Sequence, residues 1–189
     1  KAQTQTILPM IEQGLAHTDL ALTDLTAIAF SRGPGSFSGV RINAAVTQAL
    51  AWSNDLPVIA VSTLQALAQA AYREAKLTAV TAVLDARMKE VYLASFQCDA
   101  HNIMQLVDEE KLLAYDQAAE YQKFTLIGSG SVLLQPEATE YQHIHATAAD
   151  IAEIARYNAQ QQHWVSAEQA LPVYLRDNAW KKIPEQGKP

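Results

Sequence analysis

The feature that most constrains this chain is the run Ser31-Arg32-Gly33-Pro34-Gly35-Ser36-Phe37-Ser38-Gly39, three glycines and a proline set between two apolar stretches. Before it, Leu25 to Phe30 is short, apolar and strand-like. After it, Ser38 to Trp52 reads as a helix whose strongly polar members are Arg41, Asn43 and Gln48, so most of its sides must be covered. Asn54-Asp55-Leu56-Pro57 ends that helix, and Val58 to Val61 forms a second strand. Ser62 or Thr63 then caps a third helix reaching about Glu74, with Leu64, Leu67, Ala68 and Ala71 at core spacing. Strand, glycine turn, helix, strand, helix is the order of a parallel sheet with crossover helices. A helix from Gln5 to Leu15, with Ile7, Leu8, Ile11 and Leu15 on one stripe, precedes it.

The texture changes near Leu77. Thr78 to Leu84 and Glu90 to Phe96 are strand candidates joined by Asp85-Ala86-Arg87-Met88-Lys89, an antiparallel hairpin with a five-residue loop. A third strand covers Ile103 to Val107, a helix lies near Asp116 to Tyr121, and strand Phe124 to Ile127 runs into the turn Gly128-Ser129-Gly130. A last helix spans Thr147 to Gln161, capped by Thr147 with Asp150 in its first turn. The chain divides into a first lobe, residues 1–76, and a second, residues 77–189. With 189 residues, 49% of them hydrophobic, both lobes can bury a core.

Composition excludes several classes. No run of 18 apolar residues exists, so no helix spans a membrane, and no apolar leader follows Lys1. A single cysteine, Cys98, fits a reducing, cytoplasmic setting. A net charge of −6 disfavours a stand-alone nucleic-acid binder.

The glycine turn carries two readings: a rigid strand-to-helix connection, or an anion site in which Arg32, Gly33, Pro34, Gly35 and Ser36 meet a phosphate at a helix N-terminus. It is neither a Walker loop, lacking Gly-Lys-Ser/Thr, nor a dinucleotide fingerprint, since Ser38 stands where the third glycine belongs. Nor is it a nucleophile elbow, because Phe37 is its central residue. Gly128 and Gly130 form a generic turn that could touch the same ligand. His17, His101, His143, His145 and His163 show no metal-ligand spacing. Asp108-Glu109-Glu110 reads as a solvated run, and Asp85 with Arg87 as a self-satisfied hairpin tip. The basic tail Arg176 to Lys188, with Trp180, reads as a solvated end rather than an RNA contact.

At Ser31-Arg32-Gly33-Pro34-Gly35-Ser36-Phe37-Ser38-Gly39-Val40-Arg41 the chain resembles the bacterial TsaB (YeaZ) family. Thr4-Gln5 with Ile7-Leu8-Pro9, Pro57-Val58-Ile59-Ala60-Val61-Ser62-Thr63-Leu64, Asp85-Ala86-Arg87 with Glu90-Val91-Tyr92, and Pro172-Val173-Tyr174-Leu175-Arg176 match in the family's order. The resemblance implies an actin-like fold (the sugar-kinase, Hsp70, actin and ribonuclease H-like class) of two α/β lobes. It implies a role in making threonylcarbamoyladenosine beside the tRNA anticodon, where TsaC makes the threonylcarbamoyl-adenylate and TsaD transfers the group. TsaB is the non-catalytic paralogue that binds TsaD, with the ATPase TsaE completing the complex and a homodimer forming when TsaD is missing.

In the catalytic paralogue two metal-binding histidines lie four residues apart on the helix corresponding to the third one here; Thr63 and Leu67 hold those positions. That spacing puts both on one helical face, but a leucine cannot ligate a metal, so neither a metal site nor an older glycoprotease label is expected. No cofactor is required on this reading, and ATP or ADP is the ligand the glycine turns would take. The family also begins with a strand and a hairpin, so roughly thirty to forty upstream residues are expected, leaving the first lobe incomplete here. The expected partner face comprises Ile7, Met10 and Ile11 of the first helix and a small-residue stripe, Val40, Ala44, Thr47 and Ala51, of the second. The rival reading is an active ATP-dependent phosphotransferase or hydrolase of the same fold.

Overall fold

The computed structural model describes residues 2–176. Helix α1 (Ala2–His17) leads to β1 (Ile28–Gly33), α2 (Phe37–Ser53), β2 (Val58–Ser62) and α3 (Thr63–Ala75). β1 and β2 pair in parallel, from Ile28 opposite Val58 to Gly33 opposite Ser62, as the order of elements demands. A second sheet follows: β3 (Ala79–Arg87), β4 (Glu90–Cys98), β5 (Met104–Leu106), β6 (Lys111–Ala114) and β7 (Thr125–Ile127). Its order is β5-β4-β3-β7, with β6 also on β4, and β7 runs parallel to β3. Short helices α4 (Tyr115–Ala119) and α5 (Ser131–Leu134) precede α6 (Ala148–Gln160).

Helix α3 is the spine between the sheets. Ser62 caps it, its Oγ accepting from the amides of Leu64 and Gln65. Leu64, Leu67, Ala68 and Ala71 pack on Val80, Ala82, Phe96 and Ile127 of the second sheet. Ala66, on the opposite side, meets Ile59, Val61 and Ile154. A helix buried nearly all round is apolar nearly all round, and its one buried polar side chain inside this span, Gln69, is satisfied by the Met104 amide and the Asn102 carbonyl.

The end of the described chain returns to the first sheet. Ile154 and Ala155 of α6 cover Ile59 and Val61. Val165 exchanges two backbone hydrogen bonds with Val58, both 2.8 Å, and Ala167 and Ala170 close the core around Phe30, Ala44 and Ala51. Asp150 of α6, 1% exposed, accepts from Nε and Nη2 of Arg73 on α3 at 2.9 and 3.1 Å.

Three local expectations need correction. β1 begins at Ile28 rather than Leu25 and takes in Ser31 to Gly33, because parallel pairing with Val61 and Ser62 outweighs the turn composition. The hairpin loop is two residues, Met88-Lys89, and left-handed backbone at Arg87, Met88 and Lys89 makes the reversal. Strand β6 and helix α5, absent from the sequence reading, are too short to show a period.

Candidate functional site: the cleft between the sheets

The glycine turn and the hairpin tip face each other across a cleft of about 640 Å³. One wall is Pro34 to Phe37 with Thr63; the other is Leu84 to Arg87 with Tyr92 and Ser129. The extended segment Val173 to Arg176 runs along it. Ser36 is the N-cap of α2, its Oγ accepting from the Gly39 amide at 3.2 Å. Gly33 sits at φ +106°, and a Cβ there would lie 2.9 Å from the Val173 carbonyl, so the turn needs glycine for a neighbour within the chain. The tip is self-satisfied as expected: the Arg87 amide donates to Asp85 Oδ1 at 2.8 Å, and its guanidinium ion-pairs with Oδ2.

Arg32 does not line the cleft. Its Nη2 donates to Glu110 Oε2 at 3.1 Å, and Ser62 donates its hydroxyl to Glu110 Oε1. Glu110 is thus the anion that Arg32 meets, which corrects the reading of Asp108-Glu109-Glu110 as a solvated run. Asp108 accepts from the Ser95 amide as well, and only Glu109 of the three stands well out in water. Gly128 and Gly130 are buried, and their amides donate to the carbonyls of Tyr141 and Val83, both at 3.0 Å. Neither lines the cleft, and of this turn Ser129 alone reaches it.

Thr63 lines the cleft, its Oγ1 2.6 Å from the Ser31 hydroxyl. Leu67 does not; it is 1% exposed and packed in the core, and a Cβ on Gly128 would come within 2.7 Å of its Cδ2. Among the described residues no three His, Cys, Asp or Glu side chains gather as metal ligands.

The expected partner stripe on α2 is overturned. Val40, Ala44, Thr47 and Ala51 are 6, 4, 5 and 0% exposed and form the face that packs on the chain's own sheet and on Ala167 and Ala170. Small residues are there because the sheet approaches closely. The outward stripe of α2 is Arg41, Ala45, Ala49 and Trp52. On α1, Met10 is exposed at 67%, whereas Ile7 and Ile11 are half-buried and line an apolar groove with Leu25, Ile28 and Leu50. The basic tail after Arg176 lies outside the described residues.

Sequence reasoning missed Glu110 and the docking of Val173 to Arg176. Glu110 was hidden by its acidic neighbours; the Pro172 to Arg176 motif was visible, its contacts 130 or so residues away in sequence were not, such as Arg41 Nε donating to the Tyr174 hydroxyl at 3.0 Å.

The family model described as "TsaD: tRNA N6-adenosine threonylcarbamoyltransferase" matches residues 1–171. The tRNA threonylcarbamoyladenosine biosynthesis protein TsaB of Escherichia coli (strain K12) is 39% identical over 202 residues, 97% of this chain and 85% of that protein. The protein of the same name from Haemophilus influenzae is 36% identical, again over 97% of this chain and 84% of its own. The solved structure of YeaZ from Pseudomonas aeruginosa superposes with a TM-score of 0.85 at 38% identity, covering 93% of this chain and 86% of that one. Two sheets with a cleft between them thus define an actin-like, ribonuclease H-like α/β protein. Within that class the chain belongs to the TsaB (YeaZ) family. Among the described residues no helix is long and apolar enough to cross a membrane.

Proposed function

We propose that this chain is the non-catalytic subunit that binds TsaD and supports it in forming N6-threonylcarbamoyladenosine in tRNA next to the anticodon. The pathway follows from relatives named for it that match nearly the whole chain. The observation that carries the non-catalytic role is Leu67. It stands where the transferase carries a metal-binding histidine, it has no donor atom, and it is locked into the core beside Val80 and Ile127. Thr63, at the other such position, holds its hydroxyl against Ser31.

The partner face on this reading is the outward side of α1 and α2, where Leu8, Met10 and Trp52 are 50, 67 and 68% exposed and Ala45 and Ala49 lie between. TsaD covers it in the heterodimer, TsaE joins the larger complex, and a second copy covers it when TsaD is absent. The tRNA is met through TsaD, in the cytoplasm, and no cofactor is required. ATP or ADP would rest against Pro34 to Ser36, the part of the glycine turn that lines the cleft.

Size-exclusion chromatography with light scattering tests this on the full-length protein, with and without TsaD from the same source. The expected outcome is a homodimer that becomes a heterodimer. The cleft itself favours the second reading, an ATP-dependent phosphotransferase or hydrolase. A protein that ignores TsaD but turns over ATP with a divalent metal would establish that reading instead.

A further inference from the structure

The segment from Pro172 to Arg176 touches both sides of the cleft. At one end the Val173 amide donates to the Arg32 carbonyl at 2.8 Å, adding to the end of β1. The Val173 carbonyl lies over Gly33, close enough that only a glycine fits beneath it. Next, the Tyr174 ring lies 5.8 Å from Phe37 at the start of α2, and Arg41 donates to its hydroxyl while stacking 3.9 Å over Phe37. At the other end Arg176 crosses to the second sheet. Its Nη1 ion-pairs with Glu90 at the start of β4, and its Nη2 reaches the Ala86 carbonyl in the hairpin.

Among the described residues this segment forms no strand or helix of its own, and the contacts named above join it to both sides of the cleft. We propose that Pro172 to Arg176 is a latch: it ties the β3–β4 hairpin to the β1–α2 turn, sets the opening of the cleft, and lets the cleft widen when the Arg176–Glu90 contact is released. Weak, separable contacts at the two ends are what such a device needs, because each end can open without unfolding either core. The Arg176 and Glu90 side chains are 27 and 30% exposed, while the paired Glu90 Oε2 is itself shielded from water, so opening this end of the segment uncovers it.

Hydrogen exchange on the full-length protein reads the latch directly, since the Val173 amide is bonded only while the segment is docked. Arg176→Ala and Glu90→Gln are expected to speed exchange at Val173 by about tenfold or more, while amides in α3 and β3 keep their protection. Arg176→Lys, which retains an ion pair, should stay near the wild-type rate. Spin labels at Ser38→Cys and Ser129→Cys, in a Cys98→Ser background, report the cleft itself; Arg176→Ala should lengthen and broaden their distance distribution. Unchanged exchange at Val173, or an unchanged label distance, overturns the latch. Equal loss of protection throughout α3 and β3 also overturns it, because the segment would then be a general stabiliser.

Discussion

Gly128 shows at a single residue how a turn that looks like a ligand loop serves the core instead. Its φ of +90° is open to glycine and strained for anything else, and a Cβ would meet the Val83 carbonyl at 2.6 Å and Leu67 at 2.7 Å. Gly128→Ala is therefore expected to destabilise the fold by about 2–3 kcal/mol, read as a lowered urea midpoint. Asp99 makes a prediction in pH. Burial pushes its carboxyl up, but hydrogen bonds from the Ile103 amide, Gln105, the His101 amide and Tyr157 together hold it below its usual value. A lowered folded pKa stabilises above the unfolded value of about 4 and is lost as pH falls through the folded one. Urea unfolding of wild type and Asp99→Asn should thus diverge above about pH 4 and converge in stronger acid. Next to it, Cys98 has its thiol pushed up by burial and then by the Asp99 charge, which disfavours the reactive thiolate.

On the scale of elements, α2 separates two kinds of alanine. Ala44 and Ala45 are neighbours in sequence, but Ala44 is buried against Phe30 and Val58 while Ala45 faces outward. Ala44→Arg forces a charge and a long side chain into that core and should cost about 4 kcal/mol or prevent folding, as seen in circular dichroism. Ala45→Arg should leave the unfolding midpoint within about 0.5 kcal/mol and abolish co-elution with TsaD. Equal behaviour of the two variants would remove α2 from the partner face. Helix α3 makes the complementary point, since its buried residues serve both sheets and a charge on either face would strike a core.

For the molecule as a whole, the second sheet closes on the first through α3, and residues 148–173 return to cover β1 and β2. The Arg32–Glu110 and Arg176–Glu90 pairs each join residues far apart in sequence across that arrangement. At this scale Glu110→Gln is expected to lower stability by about 1–2 kcal/mol by leaving the half-buried Arg32 guanidinium without its counter-charge, and thermal unfolding at matched salt checks it.

The glycine turn, the strand–helix–strand order, a cap at Ser62 or Thr63 (Ser62 in the structure), the α3 core spacing and the α6 boundaries, Thr147 to about Gln161, were legible in the residues because each is a local property of backbone and period. That Leu67 offers no donor atom also needed no structure. Which stripe of α2 faces inward was not legible: a helix with two apolar stripes satisfies either assignment until a sheet is laid against one. Glu110, read in its acidic run as solvated, is instead paired because β6 brings it to Arg32 and Ser62. The same holds for the Gly128 and Gly130 amides, taken up by Tyr141 and Val83. Sequence determined what each segment could form; tertiary structure decided which polar groups had partners, because partnership depends on contacts between segments that no local pattern encodes.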